Sequence, residues 1–333
     1  MADSLRENAT AAQTTPALQA VADKLHLLKT EIQKVIIGQD AVLDQILITL
    51  LCGGHALLEG VPGTAKTLAV RALAMSLSCQ AKRIQFTPDL MPSDIVGTNV
   101  FNLNTNSFEL RKGPIFTDLL LGDEINRAPA KTQSALLEGM SERHVTLDGV
   151  RYELSAVFTV FATQNPIEFE GTYPLSEAQQ DRFLLKIRVD YPAEDAERGV
   201  LQAVNSGHPP DRLAPGTLQP IFSVRTLQEA QAALDQVIVE PGVMNYILKI
   251  VRATRNHESI LIGVSPRGSI YLLLAGKAHA VLQGRSFVTP DDVVAMAVPV
   301  LGHRMTLTAD AEIQGATMPE IIQSVLDKTE VPR

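Results

Sequence analysis

From residue 18 onward, apolar positions recur with two periods, and the switch between them divides the chain. Leu18, Val21, Leu25, Leu28, Ile32 and Val35 step by alternating threes and fours, the stripe of an amphipathic helix, and a second helix follows Gly38. Short apolar runs then predict strands at 55–59, 83–86, 116–122, 157–162 and 184–189, with helical segments such as 68–77 between most of them. Strands alternating with helices predict a parallel sheet. Two segments break the alternation and read as projecting hairpins: 99–111, turning about Thr105 and Asn106, and 144–154, turning at Asp148 and Gly149. Residues 206–220 are dense in Pro, Gly and polar side chains, and beyond them helices are expected at 226–237, 241–254, 266–282 and 290–297, several opened by proline.

The expected organisation is therefore a loose leader over 1–17, an α/β domain over 18–206, a linker over 207–220 and a smaller helical domain over 221–333. A chain of 333 residues with 45% hydrophobic and 20% charged positions can bury a sizeable core. The formal charge of −8 disfavours a surface built to neutralise nucleic-acid backbones, although a basic channel on an acidic body would be averaged away. Cys52 and Cys79 are the only cysteines and form no Cys/His cluster, so neither a disulfide framework nor a zinc site is indicated. No run of about 18 apolar residues and no basic-then-apolar start occurs, so a cytoplasmic protein without a membrane span is expected.

Gly60-Val61-Pro62-Gly63-Thr64-Ala65-Lys66-Thr67 joins a predicted strand to a predicted helix, the context a phosphate-binding loop requires. Small residues let backbone N–H groups turn toward phosphates, the helix N-terminus adds partial positive charge, Lys66 can pair with phosphate oxygens and Thr67 can ligate Mg²⁺. The general pattern has Gly before the Lys, where this chain has Ala65; a methyl group is acceptable there if residue 65 already lies in the first helical turn. The apolar run Leu119-Leu120-Leu121-Gly122 ends in Asp123-Glu124. At the carboxyl end of a buried strand, Asp123 can hold Mg²⁺ through its waters, and Glu124 can orient or deprotonate an attacking water. A third strand ends in Thr163-Gln164-Asn165-Pro166, bringing Asn165 to the same edge.

These segments, with IIGQ at 36–39, GPIFTDLLLGDEINRAPAKTQSALLEGM at 113–140, ATQNPIEFEGTYPLSEAQQDRF at 162–183 and VSPRGS at 264–269, resemble the AAA+ ATPases, and more closely their MoxR branch, from about residue 18 to 331. Ala before the loop lysine is common in that family. The resemblance implies a P-loop parallel sheet flanked by helices with two hairpin insertions, plus a small all-helical lid, binding ATP and Mg²⁺. It implies that Asn165 senses the γ-phosphate, that Arg182 is an arginine finger reaching a neighbour's nucleotide, and that Arg267 is a second sensor, acting either within its own chain or on a neighbour. It further implies a ring, commonly hexameric, that remodels or activates protein clients with a partner carrying a von Willebrand factor A domain. Two other functions compete with this one. A nucleic-acid motor shares the hairpins, but here they carry few basic or aromatic residues; an ATP-dependent scaffold with little turnover fits poorly with intact motifs.

Overall fold

A computed structural model describes residues 15–104, 106–166, 171–207, 209, 214 and 216–332; the leader as far as residue 14, Thr105 and part of the expected linker lie outside the described residues. Helix α1 (Pro16–Gln33) opens on Thr15, whose hydroxyl caps the Leu18 N–H, and buries Leu18, Leu25, Leu28 and Ile32. Helix α2 (Asp40–Leu51) leads into the sheet.

Five strands form that sheet: β1 (Ala56–Glu59), β2 (Ala81–Gln85), β3 (Leu119–Asp123), β4 (Thr159–Gln164) and β5 (Leu185–Arg188). Their order is β5-β1-β4-β3-β2, and every pair is parallel. The three central strands are apolar on both faces because both are covered, as parallel pairing demands. One face packs on a cluster that includes α1, α2, α3 (Lys66–Met75) and residues of the C-terminal helices; the other packs on Phe86, Leu136, Phe158 and Phe183 around α4 (Pro92–Val96) and α5 (Ala130–Glu142). Edge strand β2 instead exposes every second residue, Ala81, Arg83 and Gln85, and buries Ile84, which suits a strand with one open side.

Both hairpins are present. The first pairs Gly97–Asn102 with Ser107–Lys112. The second pairs His144–Leu147 with Val150–Glu153, and its turn residues Asp148 and Gly149 both have positive φ, the conformation that matches strand twist. Asn99 donates to the Asp148 carboxylate at 2.6 Å, tying one hairpin to the other.

After β4 come α6 (Glu177–Gln180) and, beyond β5, α7 (Glu194–Asn205). The C-terminal part is helical: α8 (Val224–Ala233), α9 (Pro241–Thr254), α10 (Pro266–Leu282), α11 (Pro290–Leu301), α12 (Ala309–Ile313) and α13 (Met318–Asp327). Helix α11 runs past Pro299, beyond the end that the periodicity predicts; the ring withholds one N–H from the helix, and the last turn is held by the buried Val300 and Leu301. Helix α13, which the sequence pattern did not indicate, starts on a Thr317/Glu320 capping box and buries Ile321, Ile322, Val325 and Leu326. A parallel pairing of Leu77–Ser78 with Phe222–Ser223 also joins the two parts.

Just before β1, His55 is buried and fully committed. Its Nδ1 accepts the Val160 N–H at 3.0 Å, so Nε2 carries the proton and donates to the Met140 carbonyl at 3.2 Å. Burial, then the nearby Arg143 charge, pushes this imidazole down to about 3. Its neutral form belongs to the fold, so the stability it contributes is full above pH 6.5 and is lost as pH falls toward 3. Lowering the pH from 7 to 5 should therefore cost about 2 kcal/mol through this group. Thermal melts across that window should show a shallower pH dependence in His55→Asn; an unchanged slope would refute the assignment.

Candidate functional site

Strand β1 delivers the chain into Gly60, where a side chain is impossible: an added Cβ would lie 2.2 Å from the Val189 carbonyl oxygen. Pro62 and Gly63 carry the loop outward, Gly63 at φ +84°, and the buried Thr64 hydroxyl donates to the Val61 carbonyl at 2.9 Å, pinning the loop on itself. Lys66, the first residue of α3, donates to the carbonyls of Gly60 and Val61, the latter at 2.7 Å. Burial holds its ammonium below the usual lysine range, while Glu124 and Asp123 pull the other way.

Ala65 departs from the expectation. It is not in the helical turn but caps it in the left-handed region, at φ 63° and ψ 17°, where a Cβ costs about 1 kcal/mol relative to glycine. The backbone must reverse here to point its N–H groups into the loop, which is why the general pattern has glycine.

Asp123 ends β3 almost fully buried. Its Oδ1 accepts the Thr67 hydroxyl at 3.0 Å and lies 3.4 Å from the Thr163 hydroxyl, and its Oδ2 forms an ion pair with Arg83 Nε at 2.6 Å. Glu124 follows in the left-handed region at φ 58°, held by its N–H donating to Thr163 Oγ1 at 2.9 Å. Such a conformation is uncommon for a residue with a side chain and persists only where the surroundings impose it. Its carboxylate accepts from Gln85 at 2.9 Å and pairs with Arg127 at 3.0 Å. Asn165 lies at the end of β4, buried, with its carbonyl accepting from Asn126 at 3.5 Å. The fold thus gathers Gly60 to Thr67, Asp123, Glu124 and Asn165 at one edge of the sheet, where the carboxyl ends of parallel strands converge.

Arg182 and Arg267 are not in that group. Arg182 stands just before β5, at the amino-terminal edge of the sheet, and donates to the Leu137 carbonyl at 2.6 Å. Arg267, in the first turn of α10, is half exposed and lies 3.5 Å from the Asp181 carboxylate. The two arginines share a cavity of about 250 Å³ with Gly53, His55, Arg143 and Tyr271. Sequence reasoning missed Arg83, Thr163, Asp181 and the buried Arg304. Arg83 left one usable signal, since it and Gln85 alternate onto one face of an edge strand next to the acidic pair.

A five-stranded parallel sheet with a phosphate-binding loop after its first strand, an acidic pair after its third, and a C-terminal helical lid is the arrangement of the AAA+ ATPases. Residues 55–185 match the ATPase family associated with various cellular activities, and residues 252–325 match the AAA lid domain. The chain is 40% identical over 327 residues to the chaperone MoxR1 of Mycobacterium tuberculosis, covering 95% of this chain and 85% of that one. It is 33% identical to the MoxR protein of Paracoccus denitrificans, covering 90% of this chain and 93% of that one. Identity reaches 45% over 301 residues with the uncharacterised YeaC of Bacillus subtilis, covering 90% of this chain and 92% of that one. A solved structure from Cytophaga hutchinsonii, assigned as an ATPase, superposes with a TM-score of 0.86 at 39% identity, covering 95% of this chain and 97% of that one. The chain belongs to the MoxR family of AAA+ ATPases. No helix among the described residues is long and apolar enough to cross a membrane.

Replacing Ala65 by Gly relieves the left-handed strain of about 1 kcal/mol while loosening the unfolded chain by about 0.4–1 kcal/mol. Thermal stability of Ala65→Gly should therefore stay within about 1 kcal/mol of the parent. A larger loss on calorimetric melting would show that the methyl group packs favourably where it is.

Proposed function

We propose that the protein binds and hydrolyses ATP with Mg²⁺ in a ring of its own copies and uses the cycle to remodel or activate protein clients. The observation that carries this reading is the contact between Thr67 and Asp123, with Glu124 held in a strained backbone conformation beside it. A hydroxyl and a carboxylate in contact are hard oxygen donors that suit Mg²⁺, which usually keeps several waters and takes few protein ligands. Thr67 and Asp123 would hold the ion, which supplies neutralisation of phosphate charge.

The chain's own groups do the rest. Backbone N–H groups of Gly63 to Thr67 and the Lys66 ammonium bind the phosphates; to do so Lys66 leaves the carbonyls of Gly60 and Val61. Glu124 orients the attacking water and accepts its proton, exchanging its bonds with Gln85 and Arg127 for that role. Asn165, from the neighbouring strand end, contacts the terminal phosphate or the water. Arg182 and Arg267 stand at the edge opposite the loop, which supports a site completed across an interface: each copy offers its loop on one edge and its arginines on the other. In this reading Arg267 acts on a neighbour rather than on its own nucleotide. A hexamer, and a partner carrying a von Willebrand factor A domain, follow from the family. The first hairpin, whose Phe101 and Phe108 rings stack edge to face at 5.2 Å in solvent, offers apolar surface to a polypeptide rather than positive charge to nucleic acid.

Per-subunit ATP turnover should climb with protein concentration as copies assemble. Arg182→Ala should lower turnover at least about a hundredfold while ATP still binds. Glu124→Gln should do the same through loss of the water-activating carboxylate, by about 10²–10⁴-fold. A chain that stays monomeric at full turnover, or an unaffected Glu124→Gln variant, would overturn the proposal.

A further inference from the structure

Arg182 is the residue the proposed shared site depends on, and its own short segment holds it by turn bonds alone: α6 ends at Gln180, β5 does not begin until Leu185, and between them the Arg182 N–H donates to the Gln179 carbonyl at 3.3 Å and the Phe183 N–H to that of Gln180 at 3.0 Å. The segment is gripped from the helical lid by two neighbouring side chains, Arg304 and His303, whose Nε2 lies 3.1 Å from the Phe183 carbonyl oxygen. Arg304, just past α11 and with 1% of its side chain exposed, reaches across to residues on both sides of Arg182. Its Nη2 donates to the carbonyls of Asp181, at 3.2 Å, and Phe183; its Nη1 donates to that of Leu184 at 3.3 Å. Its Nε forms an ion pair with Asp181 Oδ1 at 2.9 Å, and the guanidinium stacks 4.8 Å from the centroid of Tyr271, a residue of α10.

The guanidinium is itself held in place. Its Nη1 also donates to the Val300 carbonyl, and it lies 2.6 Å from His303 Nε2. Burial, reinforced by the Arg304 charge, keeps His303 well below its usual range, so the ring beside the guanidinium is neutral. Burial pushes Arg304 down to about 10, still protonated near neutrality. The second oxygen of Asp181 lies 3.5 Å from Arg267 Nη1. One carboxylate therefore stands between the buried lid arginine and the half-exposed Arg267, immediately before Arg182 in the chain.

We propose that Asp181 and Arg304 are positioning residues that lock Arg182 and Arg267 into one rigid unit, so that a lid movement presents both arginines to a neighbouring copy's nucleotide together. The planar fork of arginine suits this task, because it meets a carboxylate and several carbonyls at fixed angles where lysine would meet one. Stabilising charge on a transferring phosphoryl group needs such fixity, since a misplacement of about 1 Å costs on the order of a hundredfold in rate. This inference rests on the shared-site reading above.

The test mixes subunits and is read as ATP turnover. Asp181→Asn keeps the size of the side chain and removes its charge; it should bind ATP as the parent does and assemble, with turnover reduced at least tenfold. Mixed one to one with Glu124→Gln, it should regain turnover above the average of the two alone, because the intact phosphate-binding loop of an Asp181→Asn copy then meets a neighbour with well-placed arginines. Arg182→Ala mixed with Glu124→Gln is the reference and should regain turnover in the same way. Parental turnover in Asp181→Asn alone, or no gain on mixing while the reference pair gains, would overturn the positioning role. No gain in the reference pair would overturn the shared site, and the inference with it. Should Asp181→Asn fail to fold or assemble, Arg304→Lys, which keeps the buried charge and loses the fork, goes through the same mixing under the same criteria.

Discussion

Every strand of the central sheet runs the same way, and the rest of the molecule follows from that. A parallel sheet has two unlike edges: strands leave one with their carbonyl ends and enter the other with their amino ends. The loop at Gly60, the carboxylates of Asp123 and Glu124, and Asn165 each lie where a strand ends, so they converge without long connections. Arg182 and Arg267 lie at the entry edge, the first just ahead of β5 and the second on the lid helix packed nearby.

Strain marks the carboxyl edge. Ala65 and Glu124 both adopt left-handed backbone, and neither is glycine. At Ala65 the cause is geometric, the reversal that opens helix α3. At Glu124 it is a bond from its N–H to Thr163, which turns the residue back over the sheet edge beside Asp123. Thr163 touches both acidic residues, through Oγ1 to the Glu124 N–H and to the Asp123 carboxylate, so one hydroxyl sets the relation between them. Arg83 neutralises the buried Asp123 from the edge strand; an uncompensated carboxylate at that depth would be costly.

The entry edge is ordered by a different device. The chain around Arg182 is held by turns rather than by a strand or helix, and the lid adds to its order through a guanidinium that donates to carbonyls a strand or helix would otherwise have occupied. The lid and the sheet also share one hydrophobic cluster, in which α1 packs against both. Cohesion between the two parts is therefore apolar and broad, while the orientation of the arginines is polar and local.

Much of this was legible in the chain because the informative residues are contiguous. The run from Gly60 to Thr67, the apolar strand ending in Asp123-Glu124 and the periodic stripe of α1 are local patterns, and local patterns obey the steric and periodic rules of the backbone wherever they occur. The sheet's parallel character, both hairpins and the helical C-terminal part rest on the same grounds. Tertiary structure alone decided what depends on distant partners: that Arg83 meets Asp123 across neighbouring strands, that Ala65 is left-handed, that α11 continues through Pro299, and that Arg304 closes on residues 181–184. It also decided on which edge each arginine stands. Those facts depend on how strands and helices are ordered in space, and a contact between residues more than a hundred positions apart leaves no periodicity in a single sequence for the eye to find.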